Sequence, residues 1–210
     1  NVLHKMAEEI YYTGIEEIGE AYEAFTPGTV GSSTMPHKIN PKNAKGIIAN
    51  SQKLYSLAQV GLTSSARMFE GDSSQYMLFD SLIDETMELV LEVLMRAEEL
   101  TKGLVVKKER LYKNAILNGG LDNAEYIMMK MAEKIGRDAG HELMYECSMK
   151  AEVDGKNFFD VLCENEKVRK NFTIEEIKEL IDPKNYVGIG SMLAEEMACL
   201  GVKKAEEMMK

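Results

Sequence analysis

Residues 73–100 read SSQYMLFDSLIDETMELVLEVLMRAEEL, and this stretch decides the fold. Its apolar side chains recur at steps of three, four and seven residues, which is the period of one face of an α-helix. The pattern predicts a helix of about 25 residues, a length that is typical of helical bundles. We expect its apolar stripe to form bundle core or a subunit interface; the stripe consists of Leu82, Leu89, Val90, Val93, Leu94, Ala97 and Leu100.

Helical patterns also lie on both sides of this stretch. Residues 2 to 24 have apolar side chains near the helical period, which predicts a helix. Gly14 can interrupt this helix, and Thr26-Pro27-Gly28 ends it. A second helix is expected from Asn40-Pro41 towards Met68, because proline suits a first helical turn. After Asn118-Gly119-Gly120 the patterns become shorter, with separate helices expected over residues 122–135, 137–153, 173–181 and 190–209. We predict an all-α protein: a long-helix bundle segment over residues 1–115, followed by a small helical C-terminal domain over residues 116–210.

Composition excludes several classes of protein. The chain has 210 residues, of which 45% are apolar, and a formal net charge of −10. A general nucleic-acid binder is excluded because phosphate neutralisation needs a basic surface, whereas a small anionic substrate needs only a local cation. No apolar run approaches the roughly 20 residues of a membrane span, and the start has no signal-peptide pattern.

The cysteines favour a cytoplasmic location. Cys147, Cys163 and Cys199 are odd in number and widely spaced, so we expect free thiols in a reducing compartment rather than a disulfide or a metal site. The chain opens at Asn1 within a helical pattern, which indicates a processed, truncated or excised segment.

The irregular stretch GTVGSSTMPHKINP, residues 28–41, has the groups that an anion site needs. Gly31 permits close backbone approach to a ligand, and Ser32 or Ser33 offers a hydroxyl that can act as a base once deprotonated. Lys38 and the N-terminus of the next helix supply positive potential, and Asn40 supplies an amide donor. Removing a proton next to a carboxylate creates a doubly charged intermediate, which such groups would stabilise. The alternative is a polar loop that only connects two helices.

The string GSSTMPHKINP resembles the signature GSSxMPxKxNP of the fumarase/aspartase superfamily. Its MPHK form is most similar to the branch that contains adenylosuccinate lyase and carboxymuconate cycloisomerase. A second stretch, KIGRDAGHEL at residues 134–143, is similar to the small C-terminal domain of the same branch. The resemblance implies three helical domains per subunit, of which this chain holds the C-terminal portion. It also implies a 20-helix core in a homotetramer with active sites shared between subunits.

The resemblance further implies roles for individual residues. Ser32 matches the catalytic base that removes a proton from the β-carbon of the substrate, and Lys38 matches a position that stabilises the intermediate. Asn40 matches a carboxylate-binding position, with Ser33 and the Met35 backbone nearby, and His37 is a candidate substrate contact. Fumarate then leaves as a C–N bond breaks, a histidine acts as general acid, and neither a cofactor nor a metal is implied.

Several positions depart from the superfamily pattern. The catalytic histidines belong to an upstream domain, and neither His4 nor His141 matches them, so we expect His141 to be structural. Lys45 occupies a position where many members carry a glutamate that supports the acid histidine. Substrate contacts differ as well, since Ile39, Gly71 and Met77 stand where adenylosuccinate lyases often carry cations. Ser73 and Ser74, close to Gly71, are expected to cap a helix rather than to bind an anion.

Three functions remain open from the sequence. The first is a carbon–nitrogen lyase that releases fumarate from an N-succinyl compound, with adenylosuccinate in purine biosynthesis as the leading substrate. The second is a carboxymuconate-type cycloisomerase or another dicarboxylate lyase of the same branch. The third is a non-catalytic helical assembly fragment, which the missing upstream histidines favour.

Overall fold

The computed structural model describes residues 1–24, 34, 35, 38 and 40–210. Within these ranges the chain forms ten α-helices and one two-stranded antiparallel sheet, so the prediction of an all-α protein is confirmed. The elements in chain order are α1 (Val2–Thr13), β1 (Ala21–Glu23), α2 (Lys42–Thr63), α3 (Ser73–Lys102), β2 (Leu104–Val106), α4 (Lys108–Ala115), α5 (Ala124–Ile135), α6 (Arg137–Asp154), α7 (Phe158–Glu164), α8 (Glu166–Asn171), α9 (Ile174–Ile181) and α10 (Gly190–Met208). Short 3₁₀ turns lie at Leu121–Asn123 and Pro183–Asn185.

The described residues divide into two compact units, Asn1–Leu111 and Tyr112–Lys210. In the first unit, α1, α2 and α3 pack into a bundle around one apolar core. The buried members of that core are Ala7, Ile10, Ala44, Ile47, Val93, Ala97 and Leu100.

The long helix α3 uses its apolar residues on two faces. Leu89, Val93, Ala97 and Leu100 are buried, as expected for bundle core. Val90 and Leu94, from the same sequence stripe, are exposed in the described structure. They continue a second row, here called the outer stripe of α3, which consists of Tyr76, Phe79, Ile83, Met87, Val90 and Leu94. A row of this spacing and exposure is the kind of face that a further helix covers.

The segment before residue 24 differs from the sequence prediction. The expected helix over residues 2–24 ends at Thr13, and the chain turns and then forms β1. β1 pairs with β2 in the register Ala21↔Val106 and Glu23↔Leu104. The prediction from helical periodicity missed this strand because its hydrogen-bond partner, β2, comes after α2 and α3 in the sequence.

The N-terminus of α3 also differs in detail. Asp72 is the capping residue, and its Oδ1 accepts hydrogen bonds from the Ser74 backbone N–H at 3.0 Å and hydroxyl at 2.6 Å. These bonds lower the pKa of the Asp72 carboxyl. The cap was expected from a serine but comes from the aspartate, and the Ser74 hydroxyl is bound to it.

The second unit packs α5, α6, α7 and α9 around Phe158, Leu162 and neighbouring apolar residues. The capping box predicted at α9 is confirmed: Thr173 Oγ1 accepts from Glu176 N at 3.1 Å, and Thr173 N donates to the Glu176 carboxylate at 2.7 Å. All three cysteines are free thiols, as predicted, and burial raises the pKa of Cys147.

Helix α10 has no buried residue, whereas each of the helices α5 to α9 has at least one. Among the described helices, none combines the length and the apolar character that crossing a membrane requires.

Candidate active site

The signature loop between β1 and α2 leaves from a firmly anchored strand. Ala24 N donates to the Gly103 carbonyl at 3.0 Å, and Lys107 N donates to the Glu20 carbonyl at 2.7 Å, which extends the β1–β2 pairing at both ends. The Arg110 guanidinium donates to the Ile18 carbonyl at 2.8 Å and holds the preceding turn. The entrance to the loop is therefore fixed to the C-terminal end of α3.

A single carboxylate joins the two ends of the loop. Glu23, the last residue of β1, accepts hydrogen bonds from the backbone N–H of Asn43 at 2.9 and 3.0 Å and of Ala44 at 3.1 Å. These amides belong to the first turn of α2, where N–H groups have no partner within the helix. Pro41, at the capping position before α2, makes no side-chain cap, so Glu23 caps α2 from twenty positions away in the sequence. We call this arrangement the Glu23 clamp.

The Glu23 clamp changes the expected electrostatics of the loop. The N-terminus of α2 was expected to offer positive potential to a serine base or a bound anion. Two of its N–H groups instead face the negative charge of Glu23, which offsets the dipole of the helix locally. Within the described part of the loop, Lys38 is therefore the cation that remains for an anionic ligand.

Three predicted site residues lie within the described structure. Lys38 is exposed, and its backbone N–H donates to the Met35 carbonyl at 3.0 Å. Asn40 is half-buried just before α2. Ser32, Ser33 and His37 lie outside the described residues, so their roles remain predictions.

The first turn of α2 also carries the lysine that departs from the superfamily pattern. Lys45 is exposed, and within the described ranges it forms no ion pair. The next residue, Gly46, lies against α3: an added Cβ would come within 2.8 Å of the Arg96 side chain. Arg96 is held there by Glu92, with Arg96 Nε donating to the carboxylate at 2.8 Å, and this bond lowers the pKa of Glu92.

A cavity of about 550 Å³ opens beside the Glu23 clamp. Its polar groups include Glu16 and Lys107, and the Lys107 ammonium lies 5.0 Å from the centre of the Tyr22 ring. Pro41 of the signature motif forms part of the wall, so the cavity adjoins the described end of the loop. The described residues that line it are Ile10, Tyr11, Gly14, Ile15, Glu16, Tyr22, Glu23, Pro41 and Lys107.

The two described histidines outside the signature motif have different surroundings. His4 on α1 accepts from or donates to the Tyr55 hydroxyl through Nδ1 at 2.9 Å, while its Nε2 lies 3.3 Å from Glu8. His141 is exposed on α6. Among the described residues, no group of three or more His, Cys, Asp or Glu side chains is arranged to hold a metal ion.

Comparison with known proteins identifies the group to which the chain belongs. The family described as "Lyase" matches residues 1–54, which include the whole signature motif, and the family described as "Adenylosuccinate lyase C-terminus" matches residues 120–196. The chain belongs to the fumarase/aspartase superfamily. Both resemblances predicted from the sequence are thereby confirmed, and the chain corresponds to the C-terminal portion of superfamily members.

Individual superfamily members show how much of the protein this portion represents. The chain is 36% identical over 183 residues to "Adenylosuccinate lyase" of Methanocaldococcus jannaschii, covering 86% of this chain and 40% of that protein. It is 29% identical to "N-acetyl-S-(2-succino)cysteine lyase" of Dickeya dadantii, in an alignment that covers 93% of this chain and 43% of that protein. The solved structure of 3-carboxy-cis,cis-muconate lactonizing enzyme from Pseudomonas putida superposes with a TM-score of 0.78 at 27% identity. The superposition covers 89% of this chain and 41% of that enzyme. The chain thus spans less than half the length of these relatives.

Glu23 is the residue that sequence reasoning missed. Its side chain acts on a helix that begins about twenty residues later, and no local pattern links a glutamate at the end of a short strand to a distant helix terminus. A usable signal was indirect: the capping position of α2 is Pro41, which has no capping side chain, and its first turn has Lys42 and Lys45 but no acidic residue, so an acceptor from elsewhere was to be expected.

Proposed function

We propose that this chain is the C-terminal portion of a lyase that releases fumarate from an N-succinyl substrate by β-elimination, with adenylosuccinate as the leading substrate. The observation that carries the proposal is the signature motif at residues 31–41, within a region that matches the lyase family. Similarity to an adenylosuccinate lyase at 36% identity over most of the chain favours this substrate among those of the superfamily.

In the proposed reaction, deprotonated Ser32 takes a proton from the β-carbon of the succinyl group. The electron pair moves into the neighbouring carboxylate, where Lys38 and the amide of Asn40 stabilise the added negative charge. The C–N bond then breaks, its electrons and a proton from a general acid go to the leaving nitrogen, and fumarate is released. Ser33, the Met35 backbone and His37 are proposed to contact the substrate.

The general acid is proposed to be a histidine from a part of the protein outside this chain. A homotetramer with shared active sites would bring such a group to the loop from another subunit. Support for assembly comes from the outer stripe of α3, where Ile83 and Met87 are 42% and 65% exposed at the centre of a heptad-like row. Helices with rows of this kind associate through them. A cytoplasmic location follows from the same proposal, because purine biosynthesis supplies the substrate there.

The test of the base assignment uses two neighbouring hydroxyls in the full-length protein. We expect Ser32→Ala to lower kcat by about 10²-fold or more, as loss of a positioned general base does, with fumarate formation followed by absorbance. Ser33→Ala is the matched control, which should raise KM while leaving most of kcat. A Ser32→Ala protein that keeps more than about a tenth of the parent kcat, or the reverse pattern at Ser33, would overturn the assignment.

A second candidate is a carboxymuconate-type cycloisomerase or another dicarboxylate lyase of the same branch. The observation that favours it is the missing cation at Gly71, where an added Cβ would meet no atom within 4 Å in the described structure. The described residues around position 71 therefore leave room for a larger side chain, and the chain carries no cation there. Turnover should be compared among adenylosuccinate, an S-succinyl thioether and 3-carboxymuconate. The highest kcat/KM for either of the last two would favour the second candidate and contradict adenylosuccinate.

A further inference from the structure

Helix α10 carries an apolar face that the described structure leaves uncovered. The helix runs from Gly190 to Met208 and has no buried residue, and Leu193 and Leu200 on the same face are each 47% exposed. An isolated helix of this length is marginal in water, and an apolar face of this kind is normally packed against a partner. The question is what covers it.

The sequence of α10 fits a coiled-coil repeat. Leu193 and Leu200 are seven residues apart, and Met197 and Lys204 form the second inner row of the same repeat. The aliphatic stem of a lysine can line such a row while its ammonium reaches water. On this wheel Glu196 and Lys203 flank the inner rows on one side, as two equivalent positions of successive heptads.

We propose that α10 pairs with α10 of a second copy of this chain, in antiparallel orientation. In the register that places Met197 of each copy against Leu200 of the other, Leu193 meets the stem of Lys204. Equivalent flanking positions face each other in an antiparallel pair, so Glu196 of each copy lies across from Lys203 of the other. The two-fold symmetry produces this ion pair twice.

The same pattern disfavours a parallel pair. Parallel helices would place Lys204 against Lys204 in the inner rows, and the flanking Glu196 would have no cation opposite, since its cross-strand neighbour is Gly201. In the antiparallel register the other flank carries Ala194 and Gly201, whose small size lets the two helices approach closely. Charge and volume thus point to the same arrangement, on a surface distinct from the outer stripe of α3.

The experiment uses the exposed thiol of Cys199, at the centre of α10, as a reporter. In the antiparallel pair the two Cys199 side chains stand at the same height on one flank, so a short bismaleimide should link two copies through them. The cross-linked species should increase with protein concentration and be absent from Cys199→Ala. If the apolar face is covered by another part of the same polypeptide, no cross-link forms at any concentration, and the proposal is overturned.

Charge reversal then tests the register. Glu196→Lys and Lys203→Glu should each raise the concentration for half-maximal cross-linking about tenfold or more, because two attractive pairs become repulsive. The double variant should restore the parent value, and since the two residues are seven positions apart on one helix, restoration requires pairing between copies. Glu195→Lys, on the opposite face, is the matched control and should change nothing. Failure of the double variant to restore cross-linking, with helix content unchanged by circular dichroism, would refute the antiparallel register.

Discussion

The Glu23 clamp leads to a prediction about both stability and turnover. Glu23→Ala leaves the N–H groups of Asn43 and Ala44 without their acceptor, in a half-buried position at the start of α2. Hydrogen bonds to a charged acceptor contribute about 1.5–3 kcal/mol each when fully formed. Water replaces part of this in a half-buried site, and the favourable interaction with the helix dipole, about 0.5 kcal/mol, is lost as well. We expect the free energy of unfolding of the first unit to fall by about 2 kcal/mol.

Two measurements check this value. Chemical denaturation gives the free energy of unfolding, and amide hydrogen exchange at Asn43 and Ala44 reports the first turn of α2 directly, with exchange up to about 30-fold faster. Glu23→Gln keeps one oxygen acceptor without the charge, so it should lose about half as much. The control is Glu70→Ala, an exposed glutamate outside the helices, which should stay within about 0.5 kcal/mol of the parent. Equal losses for Glu23→Ala and Glu70→Ala, with unchanged exchange at both amides, would refute the clamp.

The same variants separate a structural role from a positioning role. Because the clamp joins the two ends of the segment that holds Ser32 and Lys38, releasing one end should displace these groups from the substrate. A displacement of about 1 Å costs up to 10²-fold in rate, so we expect kcat/KM of the full-length protein to fall at least tenfold in Glu23→Ala, with partial recovery in Glu23→Gln. Unchanged turnover in a destabilised Glu23→Ala protein would show that the clamp holds the fold alone.

Four further predictions concern the second unit. Gly120→Ala should destabilise it by more than Gly155→Ala, which should cost about 1 kcal/mol: both glycines have positive φ, but a Cβ at position 120 would lie 2.7 Å from the last residue of α9, whereas position 155 is open. Thr173→Ala should lose about 1 kcal/mol of unfolding free energy. The hydrogen bond from the Thr173 backbone N–H to the Glu176 carboxylate lowers the pKa of Glu176, so in acid the unfolded chain binds more protons than the folded chain. The resulting contribution to the free energy of unfolding is complete above the ordinary glutamate pKa and is lost as pH falls through the folded pKa. This pH dependence should be absent from Glu176→Gln. Titration with a thiol reagent should show one fast thiol, removed by Cys199→Ala, because the other two are at least partly buried with raised pKa values.

Local signals in the sequence predicted local structure correctly. The stripe of α3 and the capping box at Thr173 depend on side chains three or four positions apart, so the chain itself carries the full signal. Membership in the superfamily was predictable for another reason: Gly31 to Pro41 is a contiguous string that matches every specified position of one signature. The match of residues 1–54 to the lyase family confirms the superfamily, whereas the roles of individual residues stay predictions.

Non-local pairings were missed, and they share one physical cause. β1 is only three residues long and is stable because β2, beyond α2 and α3, accepts and donates its hydrogen bonds. The Glu23 clamp likewise depends on a helix terminus that packing brings to the strand. Neither β2 nor the N-terminus of α2 affects the hydrophobic pattern near residue 23, so that pattern assigned the whole segment to a helix.

Periodicity also shows that a face is apolar without showing what covers it. Along α3, Val93 and Val90 belong to one sequence stripe, yet the first is 5% exposed and the second 38%. Bundle packing covers only as wide an arc of α3 as α1 and α2 can reach, and residues beyond that arc need another partner. Helix α10 is the extreme case, because its whole circumference is exposed. Charges resolve what hydrophobicity leaves open: Glu196 and Lys203 are complementary only across an antiparallel two-fold axis, so the polar flank of a helix, rather than its apolar row, specifies the partner.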